Sequence, residues 1–407
     1  MRDGLHWGMV TVPLFRFETR PTQEVGQRDE PSVRRTDHVK LRIFFTPLTL
    51  EGSMRETLAE WRPAIDEAIA EIVPREIDAA YLESFFGEPT YEYDPEGIQR
   101  ALADPLWELL DRGGKRWRAV LFLVFVEGFG EDPAEYLPYA CIPEILHNGT
   151  IIVDDVEDEA AKRRGEPALH HIYGQDVALN AGNAMYFLPL KILTEDPGDV
   201  PAEQRLAAYE MLLYELNRTH LGQGMDIRWH NEGDVRVTPG QYLEMCACKT
   251  GCLARIVARL AAIITGQPAE VEEAVATYAE LTAVAFQIGD DILDVENSLG
   301  RAGEFGKEFG NDVREGKQTL LVIHALAESG PETAARLSAL LEADDNTDEE
   351  VLEALSIIED AGSIEYARER ALTLAAQARD ELETVGFDEE TDRKLREFTE
   401  FVIERDA

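Results

Sequence analysis

The sequence predicts an all-α protein whose helices form one large domain. Apolar residues recur at helical spacings of three and four along most of the chain, alternating strand patterns are nearly absent, and no linker separates the helical segments. Hydrophobic residues make up 44% of the 407 residues, which is enough to bury a large core. A high net charge is also typical of disordered chains, but the abundance and even spread of apolar residues argue against disorder.

The helical period begins near residue 54 and defines eight segments. Glycine, proline and acidic loops separate them, as at residues 113–114, 196–198, 238–240 and 343–350. The predicted helical segments are, in chain order, residues 61–69, 109–125, 138–153, 206–221, 242–264, 274–295, 320–326 and 367–382.

The charge balance excludes several classes of partner. Asp and Glu number 80 against 39 Lys and Arg, giving a net charge of −41. Nucleic acid and anionic membrane surfaces need a basic protein surface and are therefore not expected as partners. The longest apolar run, residues 119–126, is much shorter than the ~20 residues of a membrane-spanning helix, so no stable membrane insertion is predicted.

The basic residues indicate where the protein works. They comprise 31 Arg and only 8 Lys. An acidic, lysine-poor surface suits concentrated salt, where screening removes the repulsion between like charges. We therefore predict a cytoplasmic protein of a salt-loving cell, with an ordinary acidic cytosolic protein as the alternative. The four cysteines lack the spacing of a metal site and are predicted to be buried thiols.

The N-terminal segment differs in composition from the rest of the chain. Residues 1–53 contain 8 Lys and Arg against 7 Asp and Glu, so the acidic excess begins only near Met54. They also show no clear helical period. We predict that residues 1–53 are a non-native extension or a disordered arm, and that residues 54–407 form the catalytic domain.

Two acidic motifs of the form D-D-x-x-D are the most informative feature of the sequence. Their carboxylates are Asp154, Asp155 and Asp158 in the first motif, and Asp290, Asp291 and Asp294 in the second. Residues four apart lie on one helix face, so each motif stacks like charges that repel one another. Divalent cations would offset this repulsion, and Mg²⁺ is suited because it links carboxylates to substrate phosphates. A solvated acidic face is the alternative, which the presence of two such motifs disfavours.

Four basic motifs could supply the cations that a diphosphate requires. The first, G-G-K-R-W-R, opens a helix, and its glycines let the backbone approach an anion closely. The R-R-G motif is expected one to three helical turns beyond the first acidic motif. The motifs lie at residues 113–118, 163–165, 249–251 and 306–319. Each one alone could be surface charge.

From about residue 55 onward, the chain resembles the trans-isoprenyl (polyprenyl) diphosphate synthases. The shared motifs are G-G-K-R-x-R, H-N before the first acidic motif, R-R-G behind it, G-Q-G-M-D at 222–226, K-T-G, F-Q before the second acidic motif, and G-K-x-x-G-x-D-x-x-E-G-K-x-T. The resemblance implies an isoprenoid-synthase-type helical bundle around a deep central cavity. It also implies head-to-tail condensation of an allylic diphosphate with isopentenyl diphosphate, about three Mg²⁺ ions and a homodimer.

The resemblance also implies a role for each motif residue. Direct metal ligands would be Asp154, Asp155, Asp158 and Asp290, while Asp291 and Asp294 would act partly through metal-bound water. The allylic diphosphate would be held by Arg163, Lys249, Lys307 and Lys317. Isopentenyl diphosphate would be held by Lys115, Arg118, His147 and Arg164. Thr250 and Gln287 would lie beside the developing allylic cation. His147 could instead be the base that takes the final proton, although diphosphate binding fits its motif better.

Product length is expected to depend on side chains below the first acidic motif. The residues four and five positions before Asp154 lie about 6–7.5 Å deeper along the helix, and they are the small residues Thr150 and Gly149. The sequence therefore predicts an open cavity and a product of C20 or longer. Geranylgeranyl diphosphate (C20) is preferred and a C25 product is the alternative. Gly149→Phe is expected to shorten the product, with Tyr186 and Phe187 as candidate floor residues.

Two other functions share parts of this pattern. A terpene cyclase is the first, but it binds no isopentenyl diphosphate and would not need the G-G-K-R-W-R segment or Arg164. A non-catalytic partner subunit would be expected to have lost one acidic motif, whereas both are intact here.

Overall fold

The computed structural model describes residues 53–232, 236–300, 309–343 and 345–403. These ranges belong to the larger of two units, Phe45–Ala407, whereas the other unit, Met1–Phe44, lies outside them. Lys307 and all of the predicted extension except Ser53 also lie outside. Ser53 caps the first helix, because its hydroxyl accepts the N–H of Glu56 and the Glu56 carboxylate accepts the N–H of Ser53. The helical body therefore includes Ser53, one residue before the predicted boundary.

The predicted all-α fold class is confirmed in the described residues, which contain nineteen α-helices. The first ten are α1 (Met54–Ile72), α2 (Ala79–Phe86), α3 (Pro95–Ile98), α4 (Asp104–Asp111), α5 (Trp117–Gly128), α6 (Leu137–Glu157), α7 (Leu169–Tyr173), α8 (Gln175–Ala184), α9 (Lys191–Glu195) and α10 (Ala202–Asn231). The others are α11 (Pro239–Cys246), α12 (Cys252–Ile264), α13 (Ala269–Ser298), α14 (Asn311–Arg314), α15 (Leu320–Glu328), α16 (Pro331–Leu341), α17 (Asp348–Asp360), α18 (Ser363–Val385) and α19 (Glu389–Ile403).

The remaining regular structure consists of short elements. The strands β1 (Lys162–Arg163) and β2 (Glu166–Pro167) pair in antiparallel fashion as a small hairpin. Single 3₁₀ segments cover Pro133–Tyr136 and Leu188–Leu190. Two π-turns interrupt the α-helical pattern, at Gln99–Ala103 and Ala247–Gly251.

Two of the predicted helical segments are divided in the structure. The segment at 109–125 is split because Gly113 and Gly114 adopt φ values of 105° and 130°, which a helix cannot contain. The segment at 242–264 is split by the π-turn Ala247–Gly251, which carries the K-T-G motif. Both interruptions therefore coincide with motifs that were predicted to bind diphosphate.

The long helix α13 links two hydrophobic clusters. Residues of its first half belong to one cluster with residues of α1, α5, α6 and α12, and residues of its second half belong to the other cluster with residues of α11 and α15–α18. Helix α5 is apolar on all sides and is buried through the whole run of residues 119–126. In the part of the chain that the structure describes, no helix combines the length and apolar character needed to cross a bilayer.

Candidate active site

The two acidic motifs lie on the two helices that contribute most to the site. Asp154 and Asp155 occupy the last turn of α6, and Asp158 is its C-cap, with its N–H donated to the Asp154 carbonyl at 2.8 Å. The second motif lies inside α13, because that helix continues to Ser298. Asp290, Asp291 and Asp294 therefore stay on a regular helical face near its C-terminal end.

Each carboxylate of the first motif faces a cation that was predicted to bind diphosphate. The Lys249 ammonium lies 2.9 Å from Asp154 Oδ1, and Arg163 Nε donates to Asp155 Oδ1 at 2.7 Å. Lys317 lies 3.8 Å from Asp158 Oδ2. Residues from α6, the β-hairpin, the π-turn and the loop before α15 thus meet at the end of α6. The structure therefore brings three of the four predicted allylic-diphosphate cations together, while Lys307 lies outside the described residues.

The carboxylates of this cluster do not share one electrostatic environment. Burial and the neighbouring Asp154 raise the pKa of Asp158 to about 6. Burial also opposes ionisation of Asp154, but Lys249 and Arg163 hold its pKa below the usual value. Burial opposes a charge on Lys249, yet Asp154 and Asp226 raise the Lys249 pKa. The raised pKa of Asp158 indicates that the neighbouring cations do not fully offset burial and the repulsion between these carboxylates.

The G-Q-G-M-D motif on α10 adds two side chains that were not included among the predicted site residues. Gln223 Nε2 donates to Asp154 Oδ1 at 3.1 Å and to Glu157 Oε2 at 2.8 Å. Asp226 Oδ2 lies 2.6 Å from the Lys249 ammonium. Their spacing of three residues places both on one face of α10. The three-residue spacing of these two polar side chains, which puts both on one helix face, was the sequence signal that could have identified them.

The predicted catalytic residues of the K-T-G and F-Q motifs are in contact. Thr250 Oγ1 donates to Gln287 Oε1 at 3.2 Å, and Gln287 Nε2 donates to Asp291 Oδ1 at 3.0 Å. The π-turn that carries Lys249 and Thr250 places both residues beside α13. Such turns are often found at functional sites because they change the direction of side chains within a helix.

The second acidic motif is tied to the loop that carries Lys317. The Asp312 N–H donates to Asp294 Oδ2 at 3.2 Å, and Lys317 lies 2.5 Å from Glu315 Oε2. Burial opposes a charge on Lys317, but Asp312 and Glu315 raise its pKa well above the usual value. Lys317 therefore stays protonated and can serve as a cation for a diphosphate.

A second basic cluster surrounds the G-G-K-R-W-R loop between α4 and α5. Arg116 has left-handed backbone geometry and is buried, and it donates to Asp66 and to the carbonyl oxygens of Leu110 and Gly113. These contacts hold the loop in one conformation. The Arg118 guanidinium stacks 4.0 Å from the Trp117 ring centre. Lys115 lies in this loop, whereas Arg118 lies in the first turn of α5 and is buried.

Arg164 lies in a hairpin turn, which corrects the expectation that R-R-G follows the first motif by helical turns. Arg164 and Gly165 have φ values of 55° and 82°, as a two-residue hairpin turn of type I′ requires. Its guanidinium donates to the carbonyl oxygens of Leu109 (2.8 Å) and Gly113 (2.6 Å). Burial and Arg116 lower its pKa to about 10, which still leaves it charged at neutral pH. Arg164 therefore fastens the basic loop to the hairpin.

His147 lies two helical turns before Asp154 on the same face of α6, and its imidazole is neutral. Burial and the nearby Arg118 and Arg164 lower the pKa of its imidazole well below the usual value. Its Nδ1 atom is buried and has no hydrogen-bond partner among the described residues. A buried imidazole nitrogen without a partner is costly, so this atom fits a ligand bound between His147 and the arginines.

A sequence profile of the polyprenyl synthetase family matches residues 99–358. The chain belongs to this family. The geranylgeranyl pyrophosphate synthase of Geoglobus acetivorans is 35% identical over 317 residues, which cover 77% of this chain and 93% of that protein. The geranylfarnesyl diphosphate synthase of Natronomonas pharaonis is 30% identical over 374 residues, which cover 88% and 99%.

Solved structures agree with this assignment. The geranylgeranyl pyrophosphate synthetase from Geoglobus acetivorans matches with a TM-score of 0.70 at 30% identity, covering 86% of this chain and 99% of that one. The enzyme of the same name from Pyrococcus horikoshii Ot3 gives a TM-score of 0.73 at 26% identity, covering 86% and 98%. The chain is therefore a trans-prenyltransferase with an isoprenoid-synthase-type helical bundle, as the sequence predicted.

The two residues predicted to control product length have different surroundings in this polyprenyl synthase. A Cβ added at Gly149 would lie 2.6 Å from Met185 Cβ and 2.8 Å from the Gly182 carbonyl oxygen. Gly149 is therefore the point of close approach between α6 and α8, and Gly149→Phe would push these helices apart. The effect of this substitution on product length stays a prediction. Thr150 is half-buried and its hydroxyl donates to the His147 carbonyl at 2.8 Å. Its effect on product length stays a prediction.

The candidate floor residues also differ from each other. Tyr186 is buried, and its ring packs edge-on against His220 of α10 with the ring centres 5.8 Å apart. The Phe187 side chain is 69% exposed. Phe187 is therefore not part of a cavity floor within this chain, whereas Tyr186 remains a candidate.

Gly222 of α10 sets the distance between this helix and the π-turn. A Cβ at Gly222 would lie 2.4 Å from the Lys249 backbone nitrogen, whereas a Cβ at Gly224 would meet nothing within 4 Å. We expect Gly222→Ala to displace Lys249 and Thr250 and to lower kcat about 10- to 100-fold. Gly224→Ala is the matched control, and its kcat should equal that of the wild type. Equal rates for both variants, measured as steady-state prenyl transfer, would show that this contact is not needed.

Proposed function

We propose that this enzyme condenses isopentenyl diphosphate head-to-tail with an allylic diphosphate to give all-trans geranylgeranyl diphosphate. The observation that carries the proposal is the arrangement of two cation clusters. Lys249, Arg163 and Lys317 face the acidic motif on α6, whereas the other cluster is built from the 113–118 loop, Arg164 and His147. Two substrates that each carry a diphosphate require two such clusters.

Three Mg²⁺ ions per site are part of this proposal. Among the described residues, no three His, Cys, Asp or Glu side chains form a cage of their own around a metal. Mg²⁺ commonly binds one or two carboxylates and completes its shell with water and substrate phosphate oxygens. The crowded carboxylates Asp154 and Asp158 fit such an ion, and Asp290 on α13 would face it from the other motif. When bound, Mg²⁺ would neutralise charge on the departing diphosphate.

The side chains of the chain itself account for the remaining chemistry. Lys249, Arg163 and Lys317 would hold the allylic diphosphate and stabilise its charge as the C–O bond breaks. Thr250 Oγ1 and Gln287 would lie beside the allylic carbon that becomes positive. The neutral His147, with its proton on Nδ1, would donate a hydrogen bond from that atom to the diphosphate of the second substrate. The final proton would pass to the departing diphosphate, so a dedicated base residue is not required.

The proposal is tested with labelled isopentenyl diphosphate, Mg²⁺ and allylic primers of five, ten and fifteen carbons. We expect elongation to stop at C20. A C25 product is the alternative that the relative from Natronomonas pharaonis supports, since its name specifies geranylfarnesyl diphosphate. Cyclisation of a primer without use of isopentenyl diphosphate would support a terpene cyclase. A chain that is inactive alone but active with a second subunit would support the non-catalytic alternative.

A homodimer formed through α10 belongs to the same proposal. This 30-residue helix exposes Leu206, Leu213, Tyr214 and Leu221, each between 59% and 66% exposed. Every second turn of the helix carries them at separations of seven or eight residues, so they form a continuous apolar stripe about 22 Å long. A second copy of the same stripe is the natural partner, because most soluble homo-oligomers pair identical surfaces. A cytoplasmic location is likewise proposed and is supported by the acidic, lysine-poor composition.

The double substitution Leu213→Glu and Leu221→Glu is expected to convert the dimer into a monomer. Two charges buried on each side of the interface would weaken association by several orders of magnitude. Molar mass would be measured by light scattering in concentrated KCl, which screens the overall charge. Leu372→Glu on α18 is the control, since Leu372 is also exposed (49%) but lies on another helix. A double variant with unchanged molar mass would rule out this interface.

A further inference from the structure

Four side chains form a continuous hydrogen-bonded chain behind the allylic site. The Tyr242 hydroxyl donates to Asp291 Oδ2 at 2.6 Å, and Gln287 Nε2 donates to Asp291 Oδ1 at 3.0 Å. At the other end, Thr250 Oγ1 donates to Gln287 Oε1 at 3.2 Å. The chain therefore runs from α11 through α13 to the π-turn. Both oxygens of Asp291 accept from protein donors, although Asp291 belongs to a predicted metal-binding motif.

The chemistry of these groups fixes the direction of every bond in the chain. An ionised carboxylate only accepts, so Asp291 requires the hydroxyl of Tyr242 and the NH₂ group of Gln287 to face it. The amide of Gln287 can then present only its oxygen to Thr250. Thr250 must donate to that oxygen, and the lone pairs of Oγ1 are turned away from Gln287. The orientation of the Thr250 hydroxyl is thus set by Asp291, which acts on it through Gln287.

Burial makes this orientation stable. Tyr242 is 1% exposed and Asp291 is 5% exposed, so water has little access with which to compete for the same groups. A hydrogen bond to a buried charged group is stronger than one between neutral groups. Loss of the Tyr242 hydroxyl would remove the hydrogen bond that holds Asp291 Oδ2, and the carboxylate could then rotate and weaken its bond to Gln287.

We propose that Tyr242 is a positioning residue that acts through Asp291 and Gln287 to direct the Thr250 oxygen lone pairs toward the allylic carbon. The inference rests on the place proposed for Thr250 and Gln287 beside that carbon. An oxygen lone pair aimed at a developing cation stabilises it, whereas an O–H dipole aimed at it does the opposite. Asp291 then serves to orient Gln287, in addition to any part it has in metal binding.

The first test compares Tyr242→Phe with Tyr278→Phe. Tyr278 is the matched control, because it is also fully buried and its hydroxyl donates to the Leu395 carbonyl at 2.7 Å, away from the chain described above. Tyr242→Phe should lower kcat about tenfold or more and leave both KM values unchanged. Tyr278→Phe should keep the wild-type kcat. Affinity for Mg²⁺ with inorganic pyrophosphate, measured by calorimetry, should be the same for both variants and the wild type.

The second test asks whether Tyr242 acts through Thr250. In single-turnover measurements, the variant Thr250→Val should be slowed, and adding Tyr242→Phe should slow it no further. Three results would each overturn the inference: additive effects in the double variant, an unchanged kcat in Tyr242→Phe, or a loss of pyrophosphate affinity in Tyr242→Phe as large as its loss of kcat. A wild-type enzyme that fails to elongate any primer would instead overturn the proposed function, so the two failures are distinguishable.

Discussion

Replacing Asp158 with Asn is expected to make the protein more stable and nearly inactive. Burial and Asp154 raise the Asp158 pKa to about 6, so the folded state disfavours its charge. The folded state binds this proton more tightly than the unfolded state, and the resulting stabilisation is lost as the pH rises through about 6. An amide carries no charge to disfavour. Above pH 6 the gain should be about 1–3 kcal/mol in the free energy of unfolding.

Urea unfolding at pH 5 and pH 8 in EDTA and concentrated KCl would measure this gain. The difference between Asp158→Asn and the wild type should be fully present at pH 8 and about half as large at pH 5, because the wild type loses this stabilisation progressively between the unfolded and folded pKa values of Asp158. Prenyl transfer should fall about 10³-fold, because a carboxylate that faces Lys317 and Asp154 is lost. Asp360→Asn at the end of α17 is the control, since Asp360 is exposed, and neither property should change. Lower stability of Asp158→Asn at pH 8 would contradict the assignment of a strained carboxylate.

Replacing Lys249 with Met is expected to remove activity and also to destabilise the protein. Its ammonium lies within 3 Å of both Asp154 and Asp226, and its removal leaves two partly buried carboxylates without a countercharge. The expected loss is about 2–4 kcal/mol in the free energy of unfolding. Lys249 and Arg163 hold the Asp154 pKa below its usual value. The stabilisation is therefore present above the unfolded pKa and is lost as the pH falls through the folded pKa.

The same unfolding measurements distinguish this effect from a general loss of packing. Lys249→Met combined with Asp154→Asn should regain part of the stability but none of the activity. Lys191→Met is the control, because Lys191 pairs with the exposed Glu195 and such pairs contribute little. If Lys249→Met matched the wild type in stability, the ion cluster at the end of α6 would not exist as described.

Much of the site could be predicted because its residues lie in local motifs on regular helices. The spacing of Asp154 and Asp158 fixes their common direction once the segment is helical, and a protein interior must supply charges to oppose them. Lys249, Arg163 and Lys317 were found where that argument required cations. The predicted fold class followed in the same way, because the apolar period is a property of each helix alone.

The parts that could not be predicted depend on contacts between elements. Gly149 was taken as a gap in a cavity wall, but its neighbour is α8, and no spacing within α6 reveals which helix packs on which face. Arg164 was expected on a helix, whereas two positive φ angles place it in a hairpin turn. Tyr242 lies 49 residues from Asp291 in the sequence. Its role depends on how α11 packs against α13.

The most direct test of two separate diphosphate sites is a pair of substrate titrations. Initial rates would be measured while isopentenyl diphosphate and geranyl diphosphate are varied independently, for the wild type and for Lys115→Gln and Lys317→Gln. We predict that Lys115→Gln raises the KM for isopentenyl diphosphate about tenfold and leaves the other KM unchanged. Lys317→Gln should raise the KM for geranyl diphosphate by a similar factor and leave that for isopentenyl diphosphate unchanged. If both variants raised the same KM, the two clusters would not be separate sites and the account would be contradicted.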